Sequence, residues 1–213
     1  MLTESLSHFF ETLGAEWILW LLLALSVLSL AVIIERTLAL RRGRKEIDQV
    51  ADRLLSTLRD AGAQAAVDGT QGRDDALSVV ARAVLLAAID NVKELDTVLN
   101  AALARERMRF ERRLSILSTI AVNAPFIGLL GTVIGVLNAF AQLAGALEGT
   151  AKKDLVMSSI SEALVATAVG LAVAIPAAVA FNAFKGAVKK MLLETGACTR
   201  MLIVTLYPDR EEG

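Results

Sequence analysis

The chain has 213 residues, 55% of them hydrophobic and only 5% aromatic, with a formal net charge of −1, whereas a soluble domain is about 45–50% apolar, so the surplus needs a place outside an ordinary core. The single Cys198 and single His8 exclude an intrachain disulfide, a zinc set and a His-based catalytic cluster. The balanced charge argues against a nucleic-acid module.

The apolar surplus falls into three long blocks rich in Leu, Ala and Val, with few windows that favour strands. The first runs from Trp17 to Ile34 without a charge. At about 1.5 Å per residue it covers most of a hydrocarbon core about 30 Å thick. Glu4, Glu11 and Glu16 precede it and Arg36, Arg41, Arg42, Arg44 and Lys45 follow it. A cleaved signal peptide needs its basic stretch first, so residues 17–34 read as an uncleaved transmembrane helix. The positive-inside rule places segment 1–16 outside and the basic cluster in the cytoplasm, with Trp17 and Trp20 at the outer interface.

Segment 35–113 is then cytoplasmic and helical in pattern. Leu77, Val80, Ala81, Val84, Leu85 and Ala88 recur at helical spacing. The stretch from Asp68 to Asp75 reads as a turn between two helices, with Asp74 or Asp75 as the N-cap. Arg105, Arg107, Arg109, Arg112 and Arg113 alternate with Glu106 and Glu111 and read as a solvated helix with its cations near anionic head groups.

The second span occupies 114–144, an outer loop 145–154, and the third span 155–184; residues 185–213 form a cytoplasmic helix and tail. Lys185, Lys189, Lys190 and Arg200 in the tail agree with this orientation. Lys152 and Lys153 in the outer loop run against it, flanked by Glu148 and Asp154. Both later spans exceed the roughly 20 residues needed to cross a bilayer, so they tilt or continue beyond it. The expected fold is all-α: a polytopic membrane protein with three transmembrane helices, two of them long and extending into the cytoplasm.

The second span carries Ala124-Pro-Phe-Ile-Gly-Leu-Leu-Gly-Thr-Val-Ile-Gly-Val136, in which Gly131 and Gly135 form a GxxxG pair and Gly128, Thr132, Gly135 and Ala139 follow one face. Small faces let another backbone approach closely, and packing is a sufficient role for these glycines. Thr132 either lines a polar path or returns its hydroxyl to a carbonyl about four residues back. Thr167 in the third span lies on a small face with Ala163, Gly170 and Ala174. Both threonines lie about 12 residues from the outer ends, about 18 Å deep.

Glu162 is the one charge in the third span, about 10 Å from its outer end. A carboxylate at that depth marks an ion pathway, or else a shallow interfacial acid reaching outer water beside Ser158, Ser159 and Ser161. No Walker loop, dinucleotide fingerprint, metal-ligand pair at helical spacing or internal repeat is present, so no metal or cofactor is expected and an enzyme is disfavoured.

The run Ala124–Val136 and the run Ile160-Ser-Glu-Ala-Leu-Val-Ala-Thr-Ala-Val-Gly-Leu-Ala-Val-Ala-Ile-Pro-Ala177 resemble the signature of the MotA/TolQ/ExbB proton-channel family. Glu35-Arg36, Asn182 and Phe184 extend the resemblance, and three spans favour the ExbB/TolQ branch over flagellar stators. The resemblance implies a homopentamer in the bacterial inner membrane around a dimeric, single-span ExbD/TolR-like partner, with a TonB/TolA-like protein carrying force onward. It also implies use of the proton-motive force to drive TonB-dependent uptake or Tol-type envelope maintenance. Thr132, Thr167 and Glu162 correspond to its polar pathway residues, and Pro125 and Pro176 to its helix-shaping prolines. Ile134 departs from the pattern, since many relatives carry an aromatic residue there. The rival expectation is a membrane scaffold subunit that assembles helices without conducting ions.

Overall fold

The structure is a computed structural model that describes residues 16–144 and 150–207, with 41–46, 144 and 150–153 described by backbone alone. Expectations for Glu4, His8, Glu11, Glu148 and residues 208–213 lie outside the described residues, as do those for the side chains of Arg41, Arg42, Arg44, Lys45, Lys152 and Lys153. Among the described residues the regular elements are four helices: α1 (Glu16–Asp68), α2 (Ala76–Ile89), α3 (Leu95–Ala144) and α4 (Thr150–Leu206). Three stretches, Glu16–Leu40, Leu95–Leu143 and Asp154–Leu206, are long and apolar enough to cross a membrane.

The chain divides into two compact units, one holding residues up to Ile34 together with Ser115–Asn182, the other Glu35–Leu114 and the chain from Ala183. In the first unit the outward side chains are large and apolar: Trp20, Val27, Phe126, Leu164 and Val179 are all more than 60% exposed. The interior mixes small residues, with Ala124, Ala139, Ala163, Ala166, Ala174 and Ala177 buried, and a few large ones such as Ile18, Leu22, Leu117 and Ile134. A water-soluble bundle has a polar exterior instead. Apolar helices with an apolar exterior belong in lipid, where each helix satisfies its own backbone, so the chain is a multi-pass membrane protein.

Pro125 lies inside α3 and Pro176 inside α4. Each lacks the N–H that would reach the carbonyl four residues back, Ala121 and Ala172 respectively. Both helices continue through them. The third apolar block is therefore part of one helix that starts at Thr150 and ends at Leu206.

The second unit has an ordinary apolar core. The whole inward stripe of α2, from Leu77 to Ala88, is buried. It packs against Ile47, Val50, Leu54 and Leu58 of α1, and against Met191 and Leu202 of α4. Leu99 of α3 joins Val80 and Val84 in a second cluster. Asp75 caps α2, its carboxylate accepting the Ser78 N–H at 2.9 Å, and pairs with Arg73 at 3.0 Å. Burial opposes ionisation of Asp75, but the Ser78 N–H and Arg73 outweigh it and hold its carboxyl below the usual range. Arg82 fastens the preceding turn, donating to Thr70 Oγ1 at 3.0 Å and to the Arg73 carbonyl at 3.2 Å. Gly62, at φ 82°, interrupts α1 in a backbone state that L side chains resist.

Candidate ion-pathway site

The site starts from a hairpin of two antiparallel helices held together by absent side chains. A Cβ on Gly128 would lie 2.8 Å from the Ala166 carbonyl oxygen, and one on Gly170 would lie 2.8 Å from that of Ala124. A Cβ on Gly135 would meet the Ala163 Cβ at 2.5 Å, and one on Gly131 the Ala166 Cβ at 2.6 Å. Every one of these positions requires hydrogen. With lipid tails as apolar as the helices, this close packing, rather than water exclusion, binds them.

These contacts fix the register: 128 lies opposite 166–170, 131 opposite 166 and 135 opposite 163. Position 132 is therefore level with about 165, two residues or about 3 Å from the level of Thr167. The rotation is fixed as well. Around α3, Gly131 is the glycine that Ile18 of α1 approaches, at 3.5 Å from its would-be Cβ. Thr132 lies about 100° round from Gly131, beyond Gly128 and on the flank away from α1. On α4, Val165, Val169, Ala172 and Val173 line a groove of about 720 Å³ with Leu19, Trp20 and Leu23 of α1. Thr167 is two residues from both Val165 and Val169, about 200° from each. The two threonines therefore share one flank of the hairpin, the flank opposite α1.

Their hydroxyls are engaged differently. Thr132 Oγ1 donates to the Leu129 carbonyl at 2.7 Å, three residues back rather than four. Thr167 Oγ1 crosses the interface and donates to the Gly128 carbonyl at 3.0 Å. Each hydroxyl oxygen keeps acceptor capacity for water or another donor. The Thr167 bond is possible because Gly128 has no side chain to shield its carbonyl.

Glu162 is not brought to the threonine flank. It precedes Thr167 by five residues, about 140° around α4, and is in line with Val165 and Val169 on the groove side. It is exposed in the single chain and accepts a hydrogen bond from Ser158 Oγ at 3.3 Å. Glu16, at the first described turn of α1, lines the same groove. The site thus has two parts, a hydroxyl flank and an acidic flank, on opposite sides of α4.

Sequence reasoning missed a polar clasp nearer the hairpin tip. Gln142 Nε2 donates to Ser159 Oγ at 3.0 Å, and Ser159 Oγ donates back to Gln142 Oε1 at 3.3 Å. It also missed Asn138 Oδ1 and Trp17 Nε1, which are buried without hydrogen-bond partners among the described residues. The signal for the clasp was present, a glutamine among the last turns of an apolar block. Its partner depends on register, which spacing along one helix does not give.

The first unit is thus a small-residue hairpin with a hydroxyl pair at one depth. A sequence profile described as the MotA/TolQ/ExbB proton channel family matches residues 72–196. Tol-Pal system protein TolQ of Haemophilus influenzae is 34% identical over 179 residues, covering 78% of this chain and 77% of that protein. Biopolymer transport protein ExbB of Neisseria meningitidis is 29% identical over 205 residues, covering 90% and 91%. Biopolymer transport protein ExbB of Xanthomonas campestris is 42% identical over 90 residues, covering 42% and 35%. From the profile and the TolQ and ExbB relatives together, the chain belongs to the MotA/TolQ/ExbB proton channel family, in its ExbB/TolQ branch.

Proposed function

We propose that the chain is the stator-like channel subunit of a bacterial inner-membrane motor. It forms a homopentamer around a dimeric, single-span ExbD/TolR-like partner. Protons passing between the two drive an envelope process, TonB-dependent uptake or Tol-type maintenance, through a TonB/TolA-like protein. The N-terminus faces outward, and the second unit lies in the cytoplasm with the C-terminus. The observation that carries this reading is the shared flank of Thr132 and Thr167. Two hydroxyls at one depth, on the side of the hairpin that α1 leaves open, provide the polar lining a central helix needs. Packing of an apolar helix pair in lipid accounts for the interhelical bond of Thr167 but does not require a second hydroxyl, that of Thr132, on the same flank.

Glu162 serves the same path from the other flank of α4. In a ring of subunits one helix faces two neighbours, so an acid about 140° from Thr167 sits toward an adjacent chain or its water-filled seam. There it relays the proton between outer water and the partner.

The scaffold reading is supported by one bond, Thr167 to the Gly128 carbonyl, which is structural as it stands. The two readings part in a reconstitution of the chain with an ExbD/TolR-like single-span protein. Conduction predicts proton flux that is lost in Glu162→Ala with oligomer size unchanged. A scaffold predicts no flux in the wild-type complex. A sodium gradient imposed at constant pH distinguishes proton from sodium transport in the same vesicles.

A further inference from the structure

The uncharged run of α1 ends at Ile34, and the next two residues are Glu35 and Arg36. On α3 the opposite change occurs, Arg112 and Arg113 coming just before the uncharged run that opens at Leu114. Both transitions lie in the second unit, and the structure brings them together: Arg113 donates to the Glu35 carboxylate. Arg36 is left over. It is 8% exposed, and its Nε is buried with no hydrogen-bond partner among the described residues.

A guanidinium keeps its charge at any accessible pH, so burial cannot be relieved by losing a proton. A buried charge without a hydrogen-bonded counter-charge is among the costliest features a fold can hold. Glu35 attracts Arg36 electrostatically but makes no hydrogen bond to it, and its carboxylate is shared with Arg113, which accounts for the one ion pair Glu35 makes among the described residues. Arg113 is also close enough to repel Arg36. Among the described residues, two guanidiniums against one carboxylate leave the cluster one negative charge short.

We propose that Arg36 and Arg113 form a binding site for the phosphate of an anionic phospholipid. The cluster sits where two helices leave the apolar zone, at head-group depth. Phosphate matches the planar fork of arginine, and basic pockets at this level recruit acidic lipids. The site is separate from the hydroxyl and acidic flanks, and it does not require that the channel conduct.

The test uses the full-length chain in neutral detergent, titrated with phosphatidylglycerol, phosphatidylcholine or inorganic phosphate. Thermal midpoint and lipid retention in native mass spectrometry are the readouts. Phosphatidylglycerol is expected to raise the midpoint and stay bound, while the other two do neither. Arg36→Gln should weaken the apparent affinity for phosphatidylglycerol about fivefold, the loss of one cation's contribution. Without lipid it should unfold no earlier than wild type, because it removes an uncompensated charge. Arg36→Lys should fall between the two, and Arg112→Gln, an exposed neighbour, should respond as wild type. An Arg36→Gln protein that responds fully to phosphatidylglycerol overturns the site. Early unfolding of that variant in neutral detergent overturns it too, since it would show Arg36 already paired by a carboxylate from a second copy. Equal stabilisation by inorganic phosphate rejects the lipid in favour of a simple anion site.

Discussion

Gly128 and Gly170 face one another so closely that neither tolerates a methyl group without movement of backbone. Overpacking of this kind costs about 1–3 kcal/mol. Gly128→Ala and Gly170→Ala should therefore lower the thermal midpoint of the purified chain, whereas Gly186→Ala should not, because a Cβ there meets nothing within 4 Å. In a helix interior that last change should stabilise by about 0.5–1 kcal/mol. The threonines separate in the same assay. Thr167→Val removes a bond that crosses the hairpin, at a net cost of about 0.5–1.5 kcal/mol. Thr132→Val removes one that stays within its own helix turn and should leave the midpoint almost unchanged. Equal effects from the two would show that the Thr167 bond does not hold the helices together.

At the scale of elements, α2 was the most readable part of the chain. Its apolar stripe at helical spacing is the buried stripe, and Asp75, one of two candidate caps, is the one that accepts the Ser78 N–H. Because the folded-state pKa of Asp75 is depressed, its contribution is present above the ordinary aspartate value and is lost as pH falls through the folded one. Asp75→Ala should cost about 0.5–2 kcal/mol near neutrality. The gap in midpoint between wild type and variant should close as pH falls below about 4. A gap that persists in acid would mean the cap acts through packing and not through its charge.

The membrane hairpin was only partly readable. The glycine face and the matched depth of the threonines come from spacing, because one helix's periodicity fixes which of its residues share a side. The about 140° between Glu162 and Thr167 comes from the same arithmetic. Which flank α1 covers does not, since that depends on Ile18 meeting Gly131 across space. The Gln142–Ser159 clasp and the buried charge of Arg36 also lay beyond the sequence, as both depend on contacts between helices.

For the whole molecule, the proposed function accounts for a unit with an apolar exterior joined to one with an ordinary apolar core: a motor that turned ion flow into movement would need a part in lipid to conduct and a part in water to brace it. The proposed ion path requires the threonine flank to meet water and protein instead of lipid tails. The most direct measurement labels single cysteines with a small charged thiol reagent, in membranes that hold the full chain with Cys198 changed to Ser. Thr132→Cys and Thr167→Cys should react, and Phe126→Cys, on the far side of α3 and 64% exposed, should stay unlabelled. Labelling at 126 with silence at both threonine positions would contradict the account.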